Sequence, residues 1–236
     1  MRAKEFLSRK GVAFTVVDVA NDPGGRERLM RLGVRSVPVV AQGERYVFAQ
    51  AIEDVAEFVG IAAGEAGLRP DALVVKWLTV LDAARSDIAQ IPDERIGERV
   101  IDNRDRSIRA LGYHVFRIGE AFLETADGGL DYADQTANTP PPDTVRNGRD
   151  IADYGAKVRA RIERWWQTTD DRDCTASCNT YYGKQPLHRL LERSAWHSAQ
   201  HVRQTIAVLE RFGIEPAVRL SSEDLAGLPL PEGLWE

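Results

Sequence analysis

The sequence predicts a small α/β unit followed by an all-α domain of long helices. Three observations carry this reading. Residues 1–61 alternate helical and β-rich stretches, the strand signal ends at Pro70, and four long stretches of helical period follow. A chain of 236 residues, 43% hydrophobic and 28% charged, has ordinary globular composition and room for one large domain or two small ones.

In chain order, RAKEFLSRK reads as an amphipathic helix, VAFTVVDV as a β-rich run and NDPGG as a break. RERLMRLG gives a second helix, SVPVVAQGERYVF two short strands joined at Gln42-Gly43, and AIEDVAEFVGI a closing helix. The Gly/Ala-rich linker AAGEAGLRP ends at Pro70, whose fixed φ suits the first turn of a helix, so the expected domains are 1–62 and 70–236. Long helices are expected at about 71–90, 99–126, 150–169 and 186–212, the signature of a helical bundle. Between the second and third, DGGLDYADQTANTPPPDTVRNGRD has three consecutive prolines and no helical period. It is expected to be a long loop, either a lid or a surface excursion.

Charge narrows the function. Thirty-six acidic residues against 31 basic ones give a net charge of −5 with no sustained basic block, which argues against a nucleic-acid partner. No stretch approaches the ~20 apolar residues of a membrane span, and MRAKEFLSRKG is too charged for a signal peptide, so the expected location is cytoplasmic. Cys174 and Cys178 have a C-x-x-x-C spacing that suits neither a disulfide framework nor a zinc knuckle, and are expected to be reduced.

The histidines carry the chemistry. His197 and His201, in AWHSAQHVRQ, stand four apart and so on one side of the last long helix. His114, in LGYHVFRIGEAF, lies on an amphipathic helix that a bundle would bring against it. Three neutral imidazoles converging from two helices make a facial ligand set with open positions, as a catalytic divalent metal requires; a chance pair on a polar face is the alternative. His188, nine residues before His197, points to the opposite face and is read as a non-ligand. Gln200, Arg203 and Gln204 would orient the imidazoles, bind an anionic substrate, or form a solvated face. Glu192 and Glu120 are the nearest acidic residues, but no H-E-x-x-H motif is present. Trp165, Trp166 and Trp196 are read as packing.

LLERSAWHSAQHVRQTIAVLERFG resembles the last bundle helix of DinB-like proteins, and LGYHVFRIGEAF resembles their earlier histidine-bearing helix, over about residues 71–212. The resemblance implies an up-down four-helix bundle in which His114, His197 and His201 hold a divalent metal, zinc or nickel ahead of copper or iron. It also implies activity of the kind found among thiol-dependent transferases and isomerases. The N-terminal element order and VRSVPVV resemble a glutaredoxin, which implies a cis Val37-Pro38 bond and a Val37 backbone that pairs with the cysteinyl part of glutathione.

A glutaredoxin carries a strand and a C-x-x-C motif ahead of the helix in which this sequence begins, so no dithiol chemistry is expected from the residues present. The unit is then either a degenerate thiol-binding or docking module, or part of a longer native chain. An unpaired sheet edge would either promote a homodimer or be covered by the bundle. Together, the resemblances imply a metal-dependent S-transferase or isomerase joining glutathione to an electrophilic small molecule. The alternatives are a metal-dependent hydrolase and a non-catalytic metal-binding or interaction protein.

Overall fold

The computed structural model describes residues 2–19, 21–62, 67–101 and 105–235. The chain divides into two units, Met1–Ala66 with Pro231–Leu234, and Gly67–Leu230.

In the first unit, α1 (Arg2–Arg9) places Ala3, Phe6 and Leu7 on one stripe, and these pack with Ala49, Val55 and Ala56 into a small core. Pro23 opens α2 (Pro23–Arg31). A Cβ on Gly25 would lie 2.4 Å from Val17 Cγ1, so glycine lets this helix approach that valine. Strands β1 (Val39–Gln42) and β2 (Arg45–Phe48) pair antiparallel, Val39 opposite Phe48, across a turn at Gly43 with φ +64°. Helix α3 (Ile52–Val59) stops at Gly60 in the left-handed region.

Two expectations need correction here. VAFTVVDV forms no strand: among the described residues no ladder runs along 12–18, and Val16 stays 59% exposed. β-Propensity is a local property, whereas a strand exists only beside a partner. Pro231–Leu234, expected with the helical domain, group with the first unit, where the Glu232 N–H donates to Glu5 Oε1 at 3.0 Å.

The second unit is mostly helical. Its long helices are α4 (Pro70–Ile88), α5 (Ile108–Ala126), α7 (Gly148–Thr168) and α8 (Leu187–Arg211), with a short α6 (Asp134–Ala137) between α5 and α7. Both α4 and α5 pack against α7 and α8. Trp77, Phe116, Phe122, Ile151 and Ile162 fill the interior. Gly155 lets α7 close on α5, since a Cβ there would meet the Phe116 ring at 2.5 Å. No described helix is long and apolar enough to cross a membrane.

The linker residues 63–66 lie outside the described residues, but Pro70 does occupy the first turn of α4. Helix α5 starts at Ile108 rather than near 99, because Ser107 accepts from the Ala110 N–H and caps it. Arg99 instead bridges back to Ser107, and residues 102–104 lie outside the described residues. A hairpin missed in the sequence, β3 (Ser177–Thr180) with β4 (Gly183–Pro186), leads directly into α8. The long loop after α5 is tied down along its length. Arg109 donates to the carbonyls of Val145 at 2.6 Å and Pro142 at 2.7 Å, and Arg117 to that of Thr136 at 2.9 Å.

Candidate metal centre

The spacing between α5 and α8 is set by a buried relay. Trp77 Nε1–H on α4 donates to Ser198 Oγ at 3.1 Å, and Ser198 donates to the Val115 carbonyl at 3.0 Å. Ser198 follows His197 and Val115 follows His114, so the bonds that join the helices also fix the backbone beside two histidines.

The structure brings His114, His197 and His201 together, with one ring nitrogen from each inside a 4.8 Å group. His114 and His201 are buried and His197 is half-buried. Their ring centroids lie 4.7–5.3 Å apart. A shared ion binds imidazole at about 2.0–2.1 Å, which this cluster can reach with small side-chain movement.

Local hydrogen bonds suit the rings to ligation. His201 Nδ1 lies 2.7 Å from Gln204 Oε1, an acceptor, so Nδ1 carries the proton and Nε2 keeps its lone pair. The Ala137 backbone carbonyl in α6 lies near His114 and opposes part of the lowering that burial imposes on that imidazole. The Nδ1 of His197 is buried without a hydrogen-bond partner, an arrangement that a bound cation would resolve. Burial first, and then the repulsion that protonation of both rings would set up with His201, holds the His114 and His197 imidazoles well below the ordinary histidine range. Arg193 and Arg106 push both in the same direction. The neutral form that binds metal is thus the resting form.

The other sequence candidates are placed as follows. His188 turns away, its Nε2 2.8 Å from the Leu68 carbonyl. Arg203 donates to Gln200 Oε1 at 2.7 Å, so these two engage each other. Glu120 accepts from Arg117, Arg161 and the Tyr154 hydroxyl, the last at 2.6 Å, and serves a structural network. Glu192 lies close to Gly67. Trp165 packs on Phe122, while Trp196 stacks on His197 at 5.4 Å and so helps to orient a candidate ligand as well as packing.

Sequence reasoning missed Arg193. It lies four residues before His197 and eight before His201 on α8, hence on their face. Its guanidinium is buried, donates to Tyr132 OH at 3.0 Å and Tyr181 OH at 3.2 Å, and lies 5.5–5.9 Å from the rings of Tyr132, Tyr181 and Tyr182. The 193/197/201 stripe was legible in the sequence; the tyrosines, from the long loop and the hairpin turn, were not.

The first unit carries its own mark, a cis peptide bond between Val37 and Pro38, with Val37 48% exposed and the Pro38 carbonyl accepting from the Ala49 N–H at 2.9 Å. Residues 1–47 match the glutaredoxin family model. The cis bond thus sits in the glutaredoxin-like part where that likeness placed it, after α2 and before β1. No curated protein matches the chain. Neither cysteine completes a dithiol: both are free, burial pushes the Cys174 thiol up to about 12, and that of Cys178 is raised too.

Proposed function

We propose that this protein is a metal-dependent enzyme that transfers or isomerises an electrophilic small molecule using a low-molecular-weight thiol of the glutathione type. In this reading the helical unit is a DinB-like four-helix bundle, and His114, His197 and His201 are its metal ligands. The observation that carries it is the convergence of three histidine nitrogens within 4.8 Å on two packed helices. The residues fit the role: Gln204 sets the tautomer of His201, and the buried Nδ1 of His197 awaits a partner.

A divalent ion such as zinc or nickel held by three neutral ligands keeps its full charge and an open position, which favours the deprotonated form of a thiol that joins it. The chain's own residues do the rest. Burial keeps the His114 and His197 rings unprotonated, while the Ser198 relay holds the two ligand-bearing helices at a fixed spacing. The glutaredoxin-like unit contributes thiol recognition, through the Val37 backbone beside cis Pro38.

Elemental analysis of protein purified without a histidine tag, beside a His197→Ala/His201→Ala double variant, tests this reading. Near-stoichiometric zinc or nickel, lost in the variant, is expected, with glutathione consumption on an activated electrophile that follows metal content. Stoichiometric metal with four protein ligands and no thiol chemistry would leave a metal-binding interaction protein. Failure to bind after reconstitution would remove the centre altogether.

A further inference from the structure

We infer that the segment from Asp134 to Val145 is a latched cover over the metal centre, and that an ion enters and leaves when Arg117 and Arg109 release it. This rests on the proposed metal site and describes how an ion gains access to it.

Both arginines belong to α5, the helix that supplies His114, and they bracket that histidine. Arg109 stands five residues before it and Arg117 three after. Along the axis that is about 7.5 Å on one side and about 4.5 Å on the other. Arg117 Nε donates to the Thr136 carbonyl at 2.9 Å. Arg109 donates through Nε to the Val145 carbonyl at 2.6 Å, and through Nη2 to those of Pro142 at 2.7 Å and Pro141 at 3.3 Å. The segment therefore runs back along α5, from a level beyond His114 to a level before it. Residues three apart share a helix face, so the Arg117 end lies on the side of the histidine, where Ala137 is buried. The Ala137 carbonyl also acts on the His114 ring.

The latch is aimed and the cover is stiff. Glu124 accepts from both Arg117 Nη atoms, at 2.9 and 2.8 Å, and Glu120 accepts from Nη1 at 3.1 Å, which fixes the guanidinium towards Thr136. Pro140, Pro141 and Pro142 have fixed φ, so the segment keeps its shape when released and moves as a panel. Its flanks are held without α5: the Tyr132 N–H donates to the Asn179 carbonyl at 2.9 Å, and Asn147 caps α7. Opening breaks the arginine bonds and leaves the flanks in place, a local event rather than unfolding of the unit. The cover closes over the metal-free and the metal-loaded form alike, so a weaker latch speeds entry and exit by one factor and leaves affinity unchanged.

The test uses the full-length protein and cobalt(II). Stopped-flow absorbance gives the rate of cobalt entry, and excess EDTA the rate of loss. Hydrogen exchange over residues 133–145 of the metal-free protein reads the latch directly. Arg117→Gln and Arg109→Gln are each expected to raise both rates and the exchange at least about tenfold, the scale of one charge-assisted bond, with the cobalt dissociation constant within about threefold of wild type. Arg159→Gln removes a bond between α7 and Asp82 on α4 and controls for general loosening. It is expected to leave both cobalt rates within about threefold of wild type.

Faster amide exchange with unchanged cobalt rates would place the cover off the ion's path and overturn the inference. So would unchanged amide exchange, a rise in the rate of loss alone, which marks weaker ligation, or an equal acceleration in Arg159→Gln. Should Arg117→Gln fail to fold, Arg109→Gln decides by the same readings. Failure of the wild type to hold cobalt, which elemental analysis alone reveals, would instead strike the metal centre itself and remove the cover's role with it.

Discussion

Ser198→Ala should loosen the helical unit and the histidine cluster together. The hydroxyl accepts from Trp77 Nε1 at 3.1 Å and donates to the Val115 carbonyl at 3.0 Å, and Trp77 and Ser198 are both fully buried. Alanine removes both bonds. The bond to Val115 is worth about 1 kcal/mol net, and the indole N–H, left in the core without its acceptor, costs about 1–3 kcal/mol more, a total of about 2–4 kcal/mol. For a unit of this size about 3 kcal/mol lowers Tm by roughly 6–12 °C. All five tryptophans lie at or beyond position 77, so fluorescence-detected urea unfolding reports on the helical part. The measurement belongs on metal-free protein, because a ligand that binds only the folded state adds its own stability. A double-mutant cycle with Trp77→Phe isolates the shared bond and should give a coupling of about 1 kcal/mol. A Ser198→Ala change below about 0.5 kcal/mol, or no coupling in the cycle, would refute the reasoning, because such values belong to a surface hydroxyl.

Two further outcomes follow from the structure. Gln204→Leu removes the acceptor that holds His201 Nδ1–H, and zinc affinity measured by competition with a chromophoric chelator should fall about 10–100-fold, the usual cost of a lost outer partner; an unchanged affinity would show that the tautomer is set elsewhere. Asp87 is buried, its Oδ1 accepts from the Val218 N–H at 2.9 Å, and burial raises its carboxyl above the ordinary 3.8 despite that bond and that of Ala217. With the folded value above the unfolded one, its contribution to stability is fully present below pH 3.8 and is lost as pH rises through the folded value. Asp87→Asn should therefore remove that acid-side slope from a plot of stability against pH, and a slope identical to wild type would contradict the buried-carboxyl account.

What the sequence disclosed follows from the range of each interaction. The long helices declare themselves through apolar residues recurring every three or four positions, and His197 and His201 through their four-residue spacing, both local signals. Ser107 and Asn147 each accept from an N–H three residues on, so the starts of α5 and α7 were also local facts, though the first was overlooked. The failures were nonlocal. VAFTVVDV has every local mark of a strand but lacks a neighbouring ladder, while β3 and β4, short and polar, pair without any apolar alternation. Asp171 organises the segment before that hairpin by accepting from the Thr175 and Ala176 N–H groups at 3.0 and 2.8 Å, a bond pattern that no hydrophobic period announces. Arg193 was passed over because an arginine on a helix ordinarily faces water, and the tyrosines at 132, 181 and 182 that surround it lie far off in the sequence.

The polar group of α6 that acts on His114 is a main-chain carbonyl, that of Ala137. Any amino acid at position 137 carries the same oxygen, so a scan that replaces side chains one by one would pass over this contact, and relatives could vary freely there while keeping it. Shortening or lengthening α6 by one residue would slide a different carbonyl, at a different angle, under the imidazole. Insertions and deletions in α6, more than substitutions there, are therefore the changes expected to disturb the surroundings of His114.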